Sequence, residues 1–156
     1  MVREYRTPFG PLRHAVRKTG EDPGSGWVIQ PDYVPLFEDY NIPRAVEHAV
    51  SKVSDVPVIR YLFQPPDTEA RSWFSERMKR VKGFVDQNEV AVQAWSAFGM
   101  DAVVWLAGTQ GAVMLAMDEP KAFGELIDII AGTDLARTQL AAATDGVDMV
   151  VERGKR

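Results

Sequence analysis

The sequence predicts an α/β fold, and three observations carry that expectation. Val90-Ala91-Val92-Gln93-Ala94-Trp95 is an apolar run too short for a helix. Small residues, Ser96 to Gly99, interrupt it before a second dense apolar run, Ala102 to Ala107, long enough for a buried helix. A matching apolar segment, Val147-Asp148-Met149-Val150-Val151, follows after further helical pattern. Strand, helical crossover and second apolar strand read as a parallel βαβ unit. Ligands in such units gather beyond the carboxyl ends of the strands. The residues there are Trp95, Ser96, Ala97 and Phe98 after the first strand, and Glu152, Arg153 and Gly154 after the second.

At 156 residues, with 46% hydrophobic and 26% charged residues, the chain is long enough for one globular domain with its own core. A net charge of −4 with scattered basic residues argues against nucleic acid as a partner. The absence of cysteine excludes disulfides, thiolate metal sites and a cysteine nucleophile. Met1-Val2-Arg3-Glu4 does not begin a signal peptide, and no apolar run reaches the length of a membrane span, so a cytoplasmic location is expected.

In chain order, Val2 to Thr7 and Leu12 to Lys18 flank the turn signal Pro8-Phe9-Gly10-Pro11. With a third short strand at Trp27 to Gln30, residues 1–30 form an expected antiparallel hairpin region. Pro43 suits a first helical turn, and Val46, Ala49, Val50 and Val53 follow at helical spacing. Asp55 to Phe63 reads as extended. Asp67 or Thr68 can cap a helix whose stripe is Ala70, Trp73, Phe74, Met78, Val81, Phe84 and Val85, expected to be core. Thr109-Gln110-Gly111 interrupts the next helix. Asp118-Glu119-Pro120 starts another, which ends at Asp145-Gly146. His14 reads as an exposed strand residue and His48 as solvated. Neither has an acidic partner at ligand spacing, so a histidine metal site is not expected.

Thr7-Pro8-Phe9-Gly10-Pro11-Leu12, Val90 to Gly108, Met117-Asp118-Glu119-Pro120 to Ile130, and Asp145-Gly146-Val147-Asp148, in that order, resemble the uroporphyrinogen decarboxylase superfamily. That superfamily holds the decarboxylase and the corrinoid-dependent methyltransferases, both built on a (β/α)₈ barrel. The resemblance implies a partial TIM-type barrel: parallel core strands, an N-terminal antiparallel hairpin and βα units over residues 43–156. It covers nearly all of this chain but only the middle of such a barrel, so the sequence reads as a piece of something longer. Substrate-binding residues would be Trp95, Ser96, Phe98, Glu152 and Arg153, at the strands' carboxyl ends. Trp95 as plain core is the competing reading.

Carried over position by position, the decarboxylase finds little here. Its arginine-rich first-strand motif has no counterpart. Its Gly-Ala-Pro loop corresponds to Ser96-Ala97-Phe98, where only the alanine matches. Its tyrosine falls near Val104, beside Trp105, and its serine near Lys155. The Thr-Pro-x-Gly-x-Leu hairpin looks like the methyltransferase branch. That branch implies one-carbon transfer, a corrinoid protein as partner, and zinc held by later His and Cys ligands. Those ligands lie outside this sequence, so no cofactor is expected on this chain itself. Methyl transfer stands ahead of porphyrinogen decarboxylation. A truncated barrel without catalysis, stable as a homo-oligomer, and a small α/β binding domain are the other readings.

Overall fold

A computed structural model of the chain describes residues 1–17, Val34 and 44–152. The expected strand Trp27 to Gln30 and the candidate Arg153 lie outside these residues. The chain divides into two compact units: Met1–Tyr61 with Ala102–Leu126, and Leu62–Asp101 with Ile127–Arg156.

The first unit opens with β1 (Val2–Thr7) and β2 (Gly10–Val16), antiparallel from Val2 opposite Ala15 to Thr7 opposite Gly10. The turn between them is closed by Thr7, whose hydroxyl donates to the Gly10 carbonyl at 2.7 Å and accepts the Phe9 N–H at 3.2 Å. Gly10 sits at φ 119°, a conformation that glycine adopts without steric cost. β3 (Ala45–Glu47) pairs antiparallel with the other edge of β2.

That strand replaces the helix expected after Pro43. The helical spacing is real, but only Ala49 and Val50 are buried, whereas Val46 and Val53 are exposed. Pairing with β2 claims the backbone first, and the Val50 N–H then donates to the Leu106 carbonyl at 2.9 Å. The next segment is a 3₁₀ helix, Val53–Tyr61, where extended chain was expected. Asp55 explains the difference. Its carboxylate accepts from Ser51 N–H, Ser51 O–H and Lys52 N–H at 3.0, 3.1 and 3.1 Å, folding the chain back on itself.

The second unit holds α1 (Thr68–Asn88), β4 (Gln93–Ala97) and β5 (Met149–Glu152). Asp67 caps α1 as expected, accepting the Ala70 N–H at 2.8 Å. β4 and β5 are parallel, with Trp95 opposite Val151 and, after an irregularity, Ala97 opposite Glu152. The Asp148 carboxylate secures the register by accepting the Val92 N–H at 2.8 Å. The apolar stripe of α1 is not core: only Met78 is buried, while Trp73, Val81 and Phe84 are exposed. A two-stranded sheet is too narrow to cover a helix of 21 residues.

α2 (Met100–Asp118) and α3 (Pro120–Ala142) each begin in one unit and end in the other. α2 breaks at Gly108, at φ 72° and ψ 160°, one residue before the interruption read from the sequence. Among the described residues it is the helix with the length and apolar composition of a membrane span. Ala102, Val103, Trp105, Leu106 and Ala107 on it are buried in the protein.

The expected partial barrel is corrected by this architecture. The described residues contain no closed barrel and no eightfold repeat. They contain one three-stranded antiparallel sheet and one two-stranded parallel sheet. A barrel needs each strand paired on both edges, and among the described residues β4 and β5 pair only with each other.

Both histidine expectations are also corrected. His14 lies on the inner face of β2 with Leu12 and Val16 and is 2% exposed. His48 is half-buried, and the two ring centroids are 6.3 Å apart, tilted by 27°. Antiparallel pairing of β2 with β3 delivers both imidazoles to one place, which linear spacing could not reveal.

Candidate functional site

The carboxyl end of β4 is organised by one side chain from α3. Asp134, 6% exposed, accepts the N–H groups of Phe98 and Gly99 on the same Oδ2, at 3.0 and 2.8 Å. A carboxylate beside the start of α2 meets both free N–H groups and the positive end of the helix dipole. Asp134 thereby fixes the loop that carries the candidate residues.

Beside this loop is a cavity of about 250 Å³, lined among others by Trp73, Phe74, Trp95, Ser96, Arg137 and Leu140. The lining is mainly apolar, with two indoles and one guanidinium, the composition of a site for an amphipathic small molecule. Trp95 is 63% exposed, so it is a wall rather than core. Ser96 is buried, and its hydroxyl shares a 2.9 Å hydrogen bond with Thr138. Phe98 is half-buried, with the Arg137 guanidinium 5.4 Å from its ring centroid. Phe63 lies on the same guanidinium at 5.8 Å, and Arg77 covers a face of Trp73 at 4.6 Å. Each is within cation–π range.

Arg137 has an unfinished coordination. Burial presses its pKa below the ordinary arginine value, and the charge of Asp134 pulls it back up. The closest approach of the pair is 4.0 Å, from Nη1 to Oδ1, and both of those atoms are buried without a hydrogen-bond partner. Asp134 spends its other oxygen on the backbone, so the guanidinium retains donor capacity next to the cavity.

Of the five residues read from the sequence, Trp95 and Ser96 line the cavity, and Phe98 stands behind it on Arg137. Glu152 ends β5 opposite Ala97 through its backbone. Asp134, Arg137 and Trp73 were missed. A signal for the first two existed: Ile130, Thr133, Asp134, Arg137 and Ala141 share one helical face. Ile130, Thr133, Asp134 and Ala141 are all buried, whereas Leu135 is exposed.

Among the described residues no group of three or more His, Asp or Glu side chains could hold a metal, and the chain has no cysteine. The zinc ligand set implied by the methyltransferase resemblance therefore has no match in these residues. No family model matches the chain, and neither a curated protein nor a solved structure matches it.

Proposed function

We propose that the cleft at the carboxyl end of β4 binds a small molecule with an apolar or aromatic body and a carboxylate. We propose further that it does so within an enzyme of the kind the sequence resembles, a uroporphyrinogen decarboxylase superfamily member of the methyltransferase branch. The observation that carries the binding reading is Arg137: a half-buried guanidinium whose Nη1 is buried without a hydrogen-bond partner, lining a cavity walled by Trp73 and Trp95. An anionic group there would complete its hydrogen bonding with charge-assisted bonds. The body of the ligand would lie against the indoles. The reaction class rests on the Thr7 to Leu12 hairpin motif and on the parallel strand pair, and no step is assigned to zinc or a corrinoid from the residues described.

The test is binding of matched aromatic and pyrrole carboxylates and their methyl esters, followed by tryptophan fluorescence. The acids should bind and the esters should not. Arg137→Met should weaken the acids by roughly tenfold to a hundredfold, the loss of a charged hydrogen bond, without changing the esters. Equal affinity for acid and ester, or an unchanged acid affinity in the variant, would overturn the assignment.

A further inference from the structure

We propose that the stacked His14–His48 pair is an acid-sensitive latch, whose protonation releases β3 from β2 while the hairpin of β1 and β2 stays formed. His14 is buried on β2, and His48 follows Glu47, the residue of β3 that pairs with Ala15. The ring centroids are 6.3 Å apart. Nδ1 of each ring is buried and has no hydrogen-bond partner. The other nitrogen of His48 donates to the Trp105 backbone carbonyl, and the ring lies so close to Gly108 that a Cβ there would come within 2.8 Å of its Cδ2. The packed pair thus suits two neutral imidazoles and offers an added proton no acceptor.

The charges around the pair do not compensate such a proton. The β1–β2 register sets Arg3 opposite His14, with Tyr5 on the same face two residues further on. Arg3 is a cation, and the Tyr5 hydroxyl is itself buried without a partner. From α2 comes no charge at all, because none occurs between Asp101 and Asp118. Glu47 is paired with Arg13 at 3.3 Å. On the 3₁₀ helix, Asp55 holds Ser51 and Lys52, and Arg60 pairs with Glu125. Protonation would therefore add buried positive charge beside Arg3 and beside a second imidazole. Burial lowers the pKa of both rings, and the neighbouring His48 helps bring that of His14 to about 4.

The topology decides which contact gives way. β1 and β2 pair continuously from Val2–Ala15 to Thr7–Gly10, whereas β3 holds β2 only at Ala15–Glu47 and Val16–Ala45. A three-residue edge strand is the cheapest piece of this sheet to open. Its release hydrates His48 and uncovers His14. A hydrated imidazole has its ordinary pKa near 6.5, so the released form binds protons that the packed form refuses. Below that pH each unit favours release by about tenfold for one ring and about a hundredfold for two, until the packed rings titrate themselves. Above it the latch is closed.

The test is an NMR titration of the whole chain from pH 7.5 to 4.5, following backbone amides and both imidazoles. The amides of Ala45 to Glu47 should move together with both imidazoles, in a step steeper than a single-proton titration. The amides of β1 should keep their shifts through that step. His48→Gln should reduce the steepness to that of one proton and move the step to lower pH. Imidazoles that titrate while the β3 amides stay fixed, a spectrum that collapses as a whole, or no step by pH 4.5 would overturn the latch. So would a step of wild-type midpoint and steepness in His48→Gln. Should that variant fail to fold, the wild-type titration decides, because the two imidazoles and the β3 amides are read separately.

Discussion

Gly108 is the residue at which conformation and packing coincide. Its φ of 72° disfavours any side chain, and a Cβ would meet the His48 ring. Gly108→Ala should therefore cost about 3 kcal/mol or more, read as a lower denaturant midpoint with unchanged slope. His14 adds a pH dependence. Burial, and then the nearby His48, lower its pKa from 6.5 to about 4. Between those values the unfolded chain binds a proton that the folded chain refuses, so stability rises with pH across that window. It should be fully present above pH 6.5 and fall by roughly 3 kcal/mol as pH drops to 4, and His48 acts in the same direction. Denaturant melts at pH 7.5 and 4.5 check this, and His14→Gln should flatten the difference. Trp95 decides between core and wall. At 63% exposure, Trp95→Ala should lower stability by less than about 1 kcal/mol, while weakening ligand binding in the cleft.

Elements here are held by side chains that satisfy backbone groups at their ends. Asp67 does so for α1 and Asp134 for the entry to α2, and their situations differ. Asp67 is exposed and local, so Asp67→Ala should cost about 1 kcal/mol. Asp134 is buried, accepts two N–H groups and neighbours the Arg137 cation. Asp134→Ala leaves those donors and that charge without compensation, and should cost about 3 kcal/mol or more. The contrast is measurable in one set of thermal melts. Equal effects would mean that Asp134 does not organise the loop. The 3₁₀ helix follows the same logic, since three donors on the single Asp55 Oδ2 override the strand propensity of Val56, Val58 and Ile59.

At the scale of the molecule, the described residues leave several large apolar side chains open to solvent. Trp73, Phe84, Trp95 and Met149 are each more than half exposed, and among the described residues no further strand pairs with the β4–β5 edges. Parallel strands are normally covered on both faces and paired on both sides. The chain should therefore self-associate as concentration rises. Sedimentation velocity across a hundredfold concentration range checks this. A single monomeric species throughout would contradict it, and Trp95→Lys with Met149→Lys should shift the distribution toward monomer.

By itself the sequence determined the features that depend on neighbours along the chain. The hairpin of β1 and β2, the Asp67 cap, the Pro120 start of α3 and the turn at Gly146 follow from local turn and cap chemistry. The parallel pairing of β4 with β5 was legible because two short apolar runs flank a helical crossover. The cavity at the carboxyl end of β4 lies where the sequence reading placed its candidates, with Trp95 and Ser96 in its lining. What only the tertiary structure decided depends on which surfaces meet. The helix spacing after Pro43 gave way to pairing with β2, and the stripe of α1 stayed exposed because two strands cannot cover it. The barrel implied by resemblance is absent because closure is a property of many strands together, and motif order along a chain does not encode it. Arg137 and the His14–His48 pair escaped notice because a charged or polar residue looks solvated in sequence until folding sets it against distant segments. Only then does an unpaired buried nitrogen set such a residue apart from a solvated one.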